Sequence, residues 1–316
     1  MRKFNQRLLI FILPILLIAY PADLILSALV QNTNLFYGEM EVWDDIYESN
    51  IEAEIAIYGS SRAWGHFNPR IFEEKLSRST YNFGMDGHNF TLQKLRHEEY
   101  FKHNSHPKTI IYSIGTSTLA KRIDLFNKNQ FLPVMLYNSN VYQHTKSYKG
   151  FSESDYFIPL IRYSSNLEFS NLLVDTIFQE YRYHGFKGKD RHWNSDLDKA
   201  RKQFPNYQVD LDSSSIAEFE TFVEEIQDHG IELILVYSPE YIEGQSLIKN
   251  RAEIISLIAG MAKHYNLPFY DYSDSAISEN RDLFYNTLHL NSSGANLFTE
   301  KFIKDWQQNS LKPKEG

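Results

Sequence analysis

Five short apolar runs, at 55–59, 80–84, 109–114, 231–237 and 267–271, constrain this chain more than any other feature. Each is too short for a helix and reads as a strand buried on both faces. The stretches between them carry helix signals. Asn68-Pro69 is an N-cap followed by proline at the first helical position, opening a helix over 68–78. Further helices are predicted over 91–102, 213–229, 251–265 and 294–305, with Gly230 stopping the third of these five. Strands alternating with helices imply an α/β fold with a mostly parallel five-stranded sheet wrapped by helices.

The chain has 316 residues, 42% hydrophobic and 23% charged, enough for one large domain with insertions. A net charge of -8 and the lack of a basic stripe argue against nucleic-acid binding. With no cysteine there is no disulfide, no thiolate metal site and no cysteine nucleophile. His103 and His106 share a helical spacing, but no acidic partner completes a metal site, and no cofactor motif is found.

The amino terminus carries Arg2, Lys3 and Arg7 ahead of an apolar stretch over 8–30. As a helix that stretch spans about 34 Å, enough for a hydrocarbon core of about 30 Å. Basic residues on the short leading side predict that it stays cytoplasmic and the bulk of the chain is exported. Residues 1–30 are therefore expected to be a signal-anchor or transmembrane helix kinked at Pro14 and Pro21, with Asp23 at the far interface or facing a partner. A cleaved signal peptide is the rival, but no clean small-x-small cleavage site follows. Residues 31–50 read as a lead-in, and 51–316 as one domain with an aromatic-rich insertion at about 119–212.

Polar residues cluster where the strands end: Ser60, Ser61 and Arg62, then Asn82 to Phe90, then Gly115 to Thr118, then Ser238 to Tyr241. The loop before the last helix adds Asn286, His289 and Asn291. In a parallel sheet these ends share one edge, where ligand sites form. Acyl transfer by a serine needs a base for its proton, a group that orients the base, and donors for the oxyanion. Ser61 and His289 supply the first pair. The backbone N–H groups of Ser61 and Gly87 are candidate oxyanion donors. A Gly-x-Ser-x-Gly elbow is absent.

With these residues in view, the chain resembles the SGNH (GDSL-like) hydrolase superfamily over about 51–120 and 230–305. "IAIYGSSR" is similar to the first block, "NFGMDG" to the second and "HLNSSGA" to the last, while "YSIGTST" occupies the third. The resemblance implies a flavodoxin-like three-layer α/β sandwich, with Ser61 as nucleophile, His289 as base and Gly87 as the oxyanion glycine. Two positions depart from the pattern. Ser117 stands where active relatives have an oxyanion-donating Asn, and Asn286 where they have an Asp three residues before the His. Ser117 itself or Asn82 is the expected substitute oxyanion donor, and Asn286 or one of Asp282, Asp271 and Glu240 the group that orients His289. The anchor, the insertion and "VYSPEYIEGQ" look like a branch that accompanies a membrane-bound O-acyltransferase in acylating surface polysaccharides.

The expected function is that of an exported, membrane-anchored serine esterase or O-acyltransferase acting on acyl esters of a cell-surface polysaccharide, with acetyl the expected acyl group. Arg62, Asp86, His88, Glu240 and Tyr241 are candidate substrate contacts, and the insertion is expected to choose the acceptor. The alternative is a catalytically decayed SGNH domain serving as a glycan-binding or scaffold subunit of a membrane O-acyltransferase complex. Ser60 and Ser61 also suit a plain tight turn, and Asn291 suits a helix cap.

Overall fold

The computed structural model describes residues 2–31, 38–166, 181–203 and 207–310. Parts of the lead-in (32–37) and of the insertion (167–180 and 204–206) lie outside the described residues. The chain packs as two units, one of 45–122 with 182–316, the other of 1–44 with 123–181.

In the larger unit, β1 (Ile55–Gly59), β2 (Thr80–Asn82), β3 (Thr109–Ser113), β4 (Glu232–Tyr237) and β5 (Phe269–Asp271) form one sheet. All pairings are parallel, in the order β2-β1-β3-β4-β5. This is the flavodoxin-like doubly wound order, and its strand order reverses between β1 and β3, where such sheets open a crevice. Ile55 lies opposite both Thr80 and Thr109, and Gly59 opposite Ser113, so β1 ends at that reversal.

Side-chain alternation divides the core. Ile55, Ile57, Ile111, Ile234 and Val236 join a cluster with Phe67, Phe72, Phe298, Phe302 and Trp306. Tyr58 and Tyr112 turn the other way, onto helices Phe90–His103 and Ser213–Asp228. There the Tyr112 ring lies 5.2 Å from that of Phe219, and the Tyr58 ring 6.3 Å from that of Phe222. Each such fully buried side chain contributes about 1.5–3 kcal/mol of apolar transfer.

The structure differs from the sequence reading in local ways. The chain after β1 is not a tight loop: it enters a six-residue helix, Ser61–His66, before the helix Pro69–Leu76 capped by Asn68. β5 starts at Phe269, because the Leu267 N–H is spent on the Ala262 carbonyl, closing the preceding helix. The last helix extends over Ser292–Ser310, carried on by buried Phe302 and Trp306 at the helical repeat.

The smaller unit contains the N-terminal helix Arg2–Gln31, with Pro14 and Pro21 inside it and ending neither half. Among the described residues it is the one helix long and apolar enough to cross a membrane. Short helices Ser139–Thr145, Glu153–Phe157 and Ile161–Asn166 make up much of the rest. Trp43 is fully buried in this unit, its indole N–H on Gln130 Oε1 at 3.1 Å and its ring 6.0 Å from Phe131.

Candidate active site

Ser61 opens the helix that follows β1, so its backbone N–H lies in a first turn that has no intrahelical acceptor. Two close approaches set this turn. Gly59 has φ +137°, and a side chain there would strike the Ser113 carbonyl of β3. Gly84 lies so close to the Trp64 backbone that a Cβ would meet it at 2.4 Å. Asn82, at the end of β2, donates to the carbonyls of Ala63 (2.8 Å) and Phe67 (2.9 Å) and accepts from the Gly84 N–H. Both its amide hydrogens are thereby engaged, so Asn82 ties down the nucleophile helix and is not a spare oxyanion donor.

Ser61 Oγ lies 2.7 Å from His289 Nε2. On the far side of the imidazole, Nδ1 lies 2.9 Å from Asn286 Oδ1. That same oxygen accepts the backbone N–H groups of Leu288 and His289, at 3.0 and 2.9 Å. Two N–H donors identify the atom facing Nδ1 as the carbonyl oxygen, so Nδ1 carries the proton. Nε2 is left with its lone pair toward Ser61, the tautomer a general base requires. None of the acids considered from sequence does this work. Asp271 binds the Ser273 amide, Asp282 sits exposed in a short 3₁₀ turn, and Glu240 is paired elsewhere.

Burial pushes the His289 imidazole down to about 4, the Arg62 guanidinium adds to that, and Asp196 pulls the other way. The imidazole is therefore neutral at pH 7. The Tyr285 ring is stacked against it, 5.4 Å between centroids and 6° between planes.

His66, which the sequence reading passed over, completes the support. It is fully buried, five residues beyond Ser61. Its Nε2 accepts the Leu290 N–H at 3.0 Å, and its Nδ1 donates to Ser238 Oγ at 3.0 Å. Burial, with Arg62 next, holds it well below the ordinary imidazole range, as a neutral ring must be in this position. Its only signal in the sequence was its nearness to a strand-end serine.

The remaining candidates fall into two groups. Gly87 is half-buried with φ +71°, a left-handed conformation natural to glycine, and Arg122 donates to its carbonyl at 2.6 Å. Among the described residues, the Ser61 and Gly87 N–H groups have no backbone acceptor outside the helices. Asp86 is half-buried and close enough to Tyr285 to help raise its phenol, after burial, to about 12. Ser117 is exposed, while its neighbour Thr118 closes the strand-end turn by accepting the Gly115 N–H.

Arg62, Glu240, Tyr241 and His88 are buried rather than open to a ligand. Arg62 donates from Nε to Ser238 Oγ at 3.2 Å and from Nη2 to the Ser238 carbonyl. Its guanidinium lies 4.6 Å from the Tyr237 ring centre and 3.6 Å from Glu240. Glu240 also receives Arg251 Nε (2.6 Å) and the Tyr237 hydroxyl (2.8 Å). The Tyr241 N–H holds the Thr287 carbonyl at 2.9 Å, and its ring sits between Trp193 and Phe284. The His88 carbonyl accepts from Gln93. These side chains frame the His289 loop and the nucleophile helix; their polarity, read from sequence as substrate contact, is spent inside the protein. Asn291 caps the last helix, its Oδ1 accepting the Gly294 N–H at 3.0 Å.

No family model matches the sequence, and no curated protein matches it. Solved structures are similar in overall form. One is a protein named for platelet activating factor from Streptococcus pneumonia, at 13% identity and TM-score 0.44, covering 85% of this chain and 90% of that one. Another is a protein ascribed to the G-D-S-L lipolytic family from Desulfitobacterium hafniense DCB-2, at 11% identity and TM-score 0.40, covering 80% and 99%. A third is an acetyl xylan esterase, at 13% identity and TM-score 0.39, covering 82% and 99%.

Proposed function

We propose that this protein is a membrane-anchored, exported serine esterase or O-acyltransferase acting on acyl esters, chiefly acetyl, of a surface polysaccharide. The observation that carries the chemistry is the 2.7 Å separation of Ser61 Oγ from a neutral His289 Nε2. Ser61 Oγ attacks the acyl carbon while its proton passes to Nε2. The carbonyl oxygen takes the negative charge and is met by the N–H groups of Ser61 and Gly87. The tetrahedral adduct collapses, the C–O bond to the sugar breaks, and the leaving alkoxide takes the proton from His289. The acyl group, now an ester on Ser61, goes to water in hydrolysis or to a second sugar hydroxyl in transfer. Asn286 holds the tautomer throughout but brings no charge to the imidazolium. The membrane assignment rests on the length and apolarity of the N-terminal helix and its basic leading end. A membrane-bound O-acyltransferase is the partner this reading implies.

Asn286 also favours the competing reading, a scaffold that binds glycan without turnover. A fluorophosphonate probe separates the two. Labelling of Ser61 in the wild type, abolished in Ser61→Ala and strongly slowed in His289→Ala, supports catalysis. A folded wild type that stays unlabelled at pH 7 leaves the scaffold.

A further inference from the structure

Asp23 breaks the apolar run of the N-terminal helix, and its surroundings say where that run leaves a membrane. Its carboxylate is fully buried. It receives Arg162 Nη2 on Oδ1 at 2.6 Å and Nη1 on Oδ2 at 2.7 Å. The Leu160 N–H adds a third donor at 2.6 Å. One turn further, Ser27 Oγ accepts from Arg162 Nη2 at 3.0 Å and pairs with the Tyr163 hydroxyl at 2.8 Å. Asp23, Ser27 and Val30 thus form one buried stripe at helical spacing, packed against the insertion.

Irregular backbone runs beside this stripe, with Leu160 at φ +67°. Such backbone does not face hydrocarbon. The level of Asp23 is therefore outside the bilayer core. What precedes it and is apolar, 8–22, is about 22 Å of helix, shorter than the core, so local thinning of the bilayer and the long side chain of Arg7 reaching to the headgroups make up the difference. At the same level the insertion exposes apolar and aromatic side chains rather than burying them: Tyr137, Phe157, Ile158 and Ile161, beside Tyr20 and Leu24 of the helix. They are contiguous. The Tyr20 and Tyr137 rings are 6.1 Å apart, the Tyr137 N–H bonds the Tyr156 carbonyl, and Ile158 leads directly into the Asp23 contact at Leu160.

From this we infer that the insertion carries a membrane-interface collar, in which these six side chains settle into the headgroup layer of a phospholipid bilayer. The inference rests on the N-terminal helix spanning the membrane. Tyrosine suits that layer, its ring among acyl chains and its hydroxyl in water. The Asp23–Arg162 pair locks the collar to the helix at the depth where the helix emerges. The exposed Tyr137 and Phe157 then serve the lipid surface rather than a glycan.

The absence of cysteine in the natural chain makes the test clean. Single-cysteine variants Leu17→Cys, Phe157→Cys, Ile158→Cys and Ser147→Cys of the full chain are labelled with an environment-sensitive fluorophore. They are reconstituted into phosphatidylcholine–phosphatidylglycerol vesicles containing lipids spin-labelled at a shallow or a deep acyl carbon. The expected result is quenching of position 17 by the deep label, of 157 and 158 by the shallow label, and of 147 by neither. If 17 is quenched but 157 and 158 behave like 147, the helix spans and the collar is overturned, leaving those residues for a protein or glycan partner. If 17 also behaves like 147, the membrane-spanning reading fails and takes the collar with it.

Discussion

The Leu290 N–H donates to His66 Nε2 at 3.0 Å, joining residues 224 apart in sequence. One end of this bond follows the base His289; the other lies on the helix that carries the nucleophile Ser61. His66 therefore sets the distance between the two reacting groups without touching either one's reacting atom. It is a positioning residue. His66→Ala is expected to lower kcat by about 10²-fold, the scale of a misplacement of about 1 Å, with KM little changed. His66→Gln restores an acceptor for the Leu290 N–H and is expected to recover much of the loss. Steady-state kinetics on an aryl acetate, with fluorophosphonate labelling rates alongside, measure both. Equal loss in the two variants would point to a merely structural ring.

His289 is held down to about 4, first by burial and then by Arg62. Only the neutral imidazole accepts the Ser61 proton, so kcat/KM is expected to be flat from about pH 8 to 5 and to fall as the pH drops through about 4. An ordinary histidine near 6.5 would place the limb more than two units higher. Asn286→Asp puts an anion against Nδ1–H and favours the imidazolium, so the limb should move up by about 1–3 units. The plateau should rise as well, because the charge created in proton transfer gains a partner. Asn286→Ala removes the oxygen that selects the tautomer and should lower kcat by about 10²- to 10⁴-fold. A pH–rate profile of the three proteins checks the whole series.

Gly87 stands at φ +71°, half-buried, with its carbonyl held by Arg122. Alanine in that conformation is strained by about 1–2 kcal/mol, and relief of the strain turns the peptide plane that presents the N–H. Gly87→Ala should therefore lower kcat by up to the 10²- to 10³-fold that one lost oxyanion donor costs, with a melting temperature only a few degrees lower. A variant with full activity would remove Gly87 from the oxyanion site.

The sheet was legible because its signals are local. Apolar runs of strand length, helix caps at Asn68 and a stop at Gly230 each act within a few residues, and their alternation gives a parallel sheet; the strand order itself rests on long-range packing and was not read from them. The Ser61–His289 contact was legible through motif, since strand ends in such a sheet share an edge. What could not be read was the destination of polar side chains. Nothing in "SSR" says that Arg62 turns inward to Ser238, or that Asn82 spends both amide hydrogens on the nucleophile helix. The helix Ser61–His66 was hidden for a similar reason. Its sequence, with Gly65 and no apolar period, has little helical propensity, and packing against Gly84 and Asn82 imposes it.

Arg62 and Glu240 give the sharpest test of that inward turn. Both are buried, 3.6 Å apart, with Arg251 and Tyr237 also on the Glu240 carboxylate. Removing one charge leaves its partners desolvated without compensation, at a cost of about 3–5 kcal/mol, whereas replacing a buried pair by apolar groups costs far less. Glu240→Leu is expected to lower the unfolding free energy by about that amount. The double variant Arg62→Met with Glu240→Leu should recover a good part of it, with Arg251 left to turn toward solvent from its half-buried position. Denaturant unfolding of the single and double variants gives the coupling energy directly. A substrate-binding role for the same residues makes the opposite forecast: unchanged stability, a raised KM, and no coupling between the two positions in the folded protein alone.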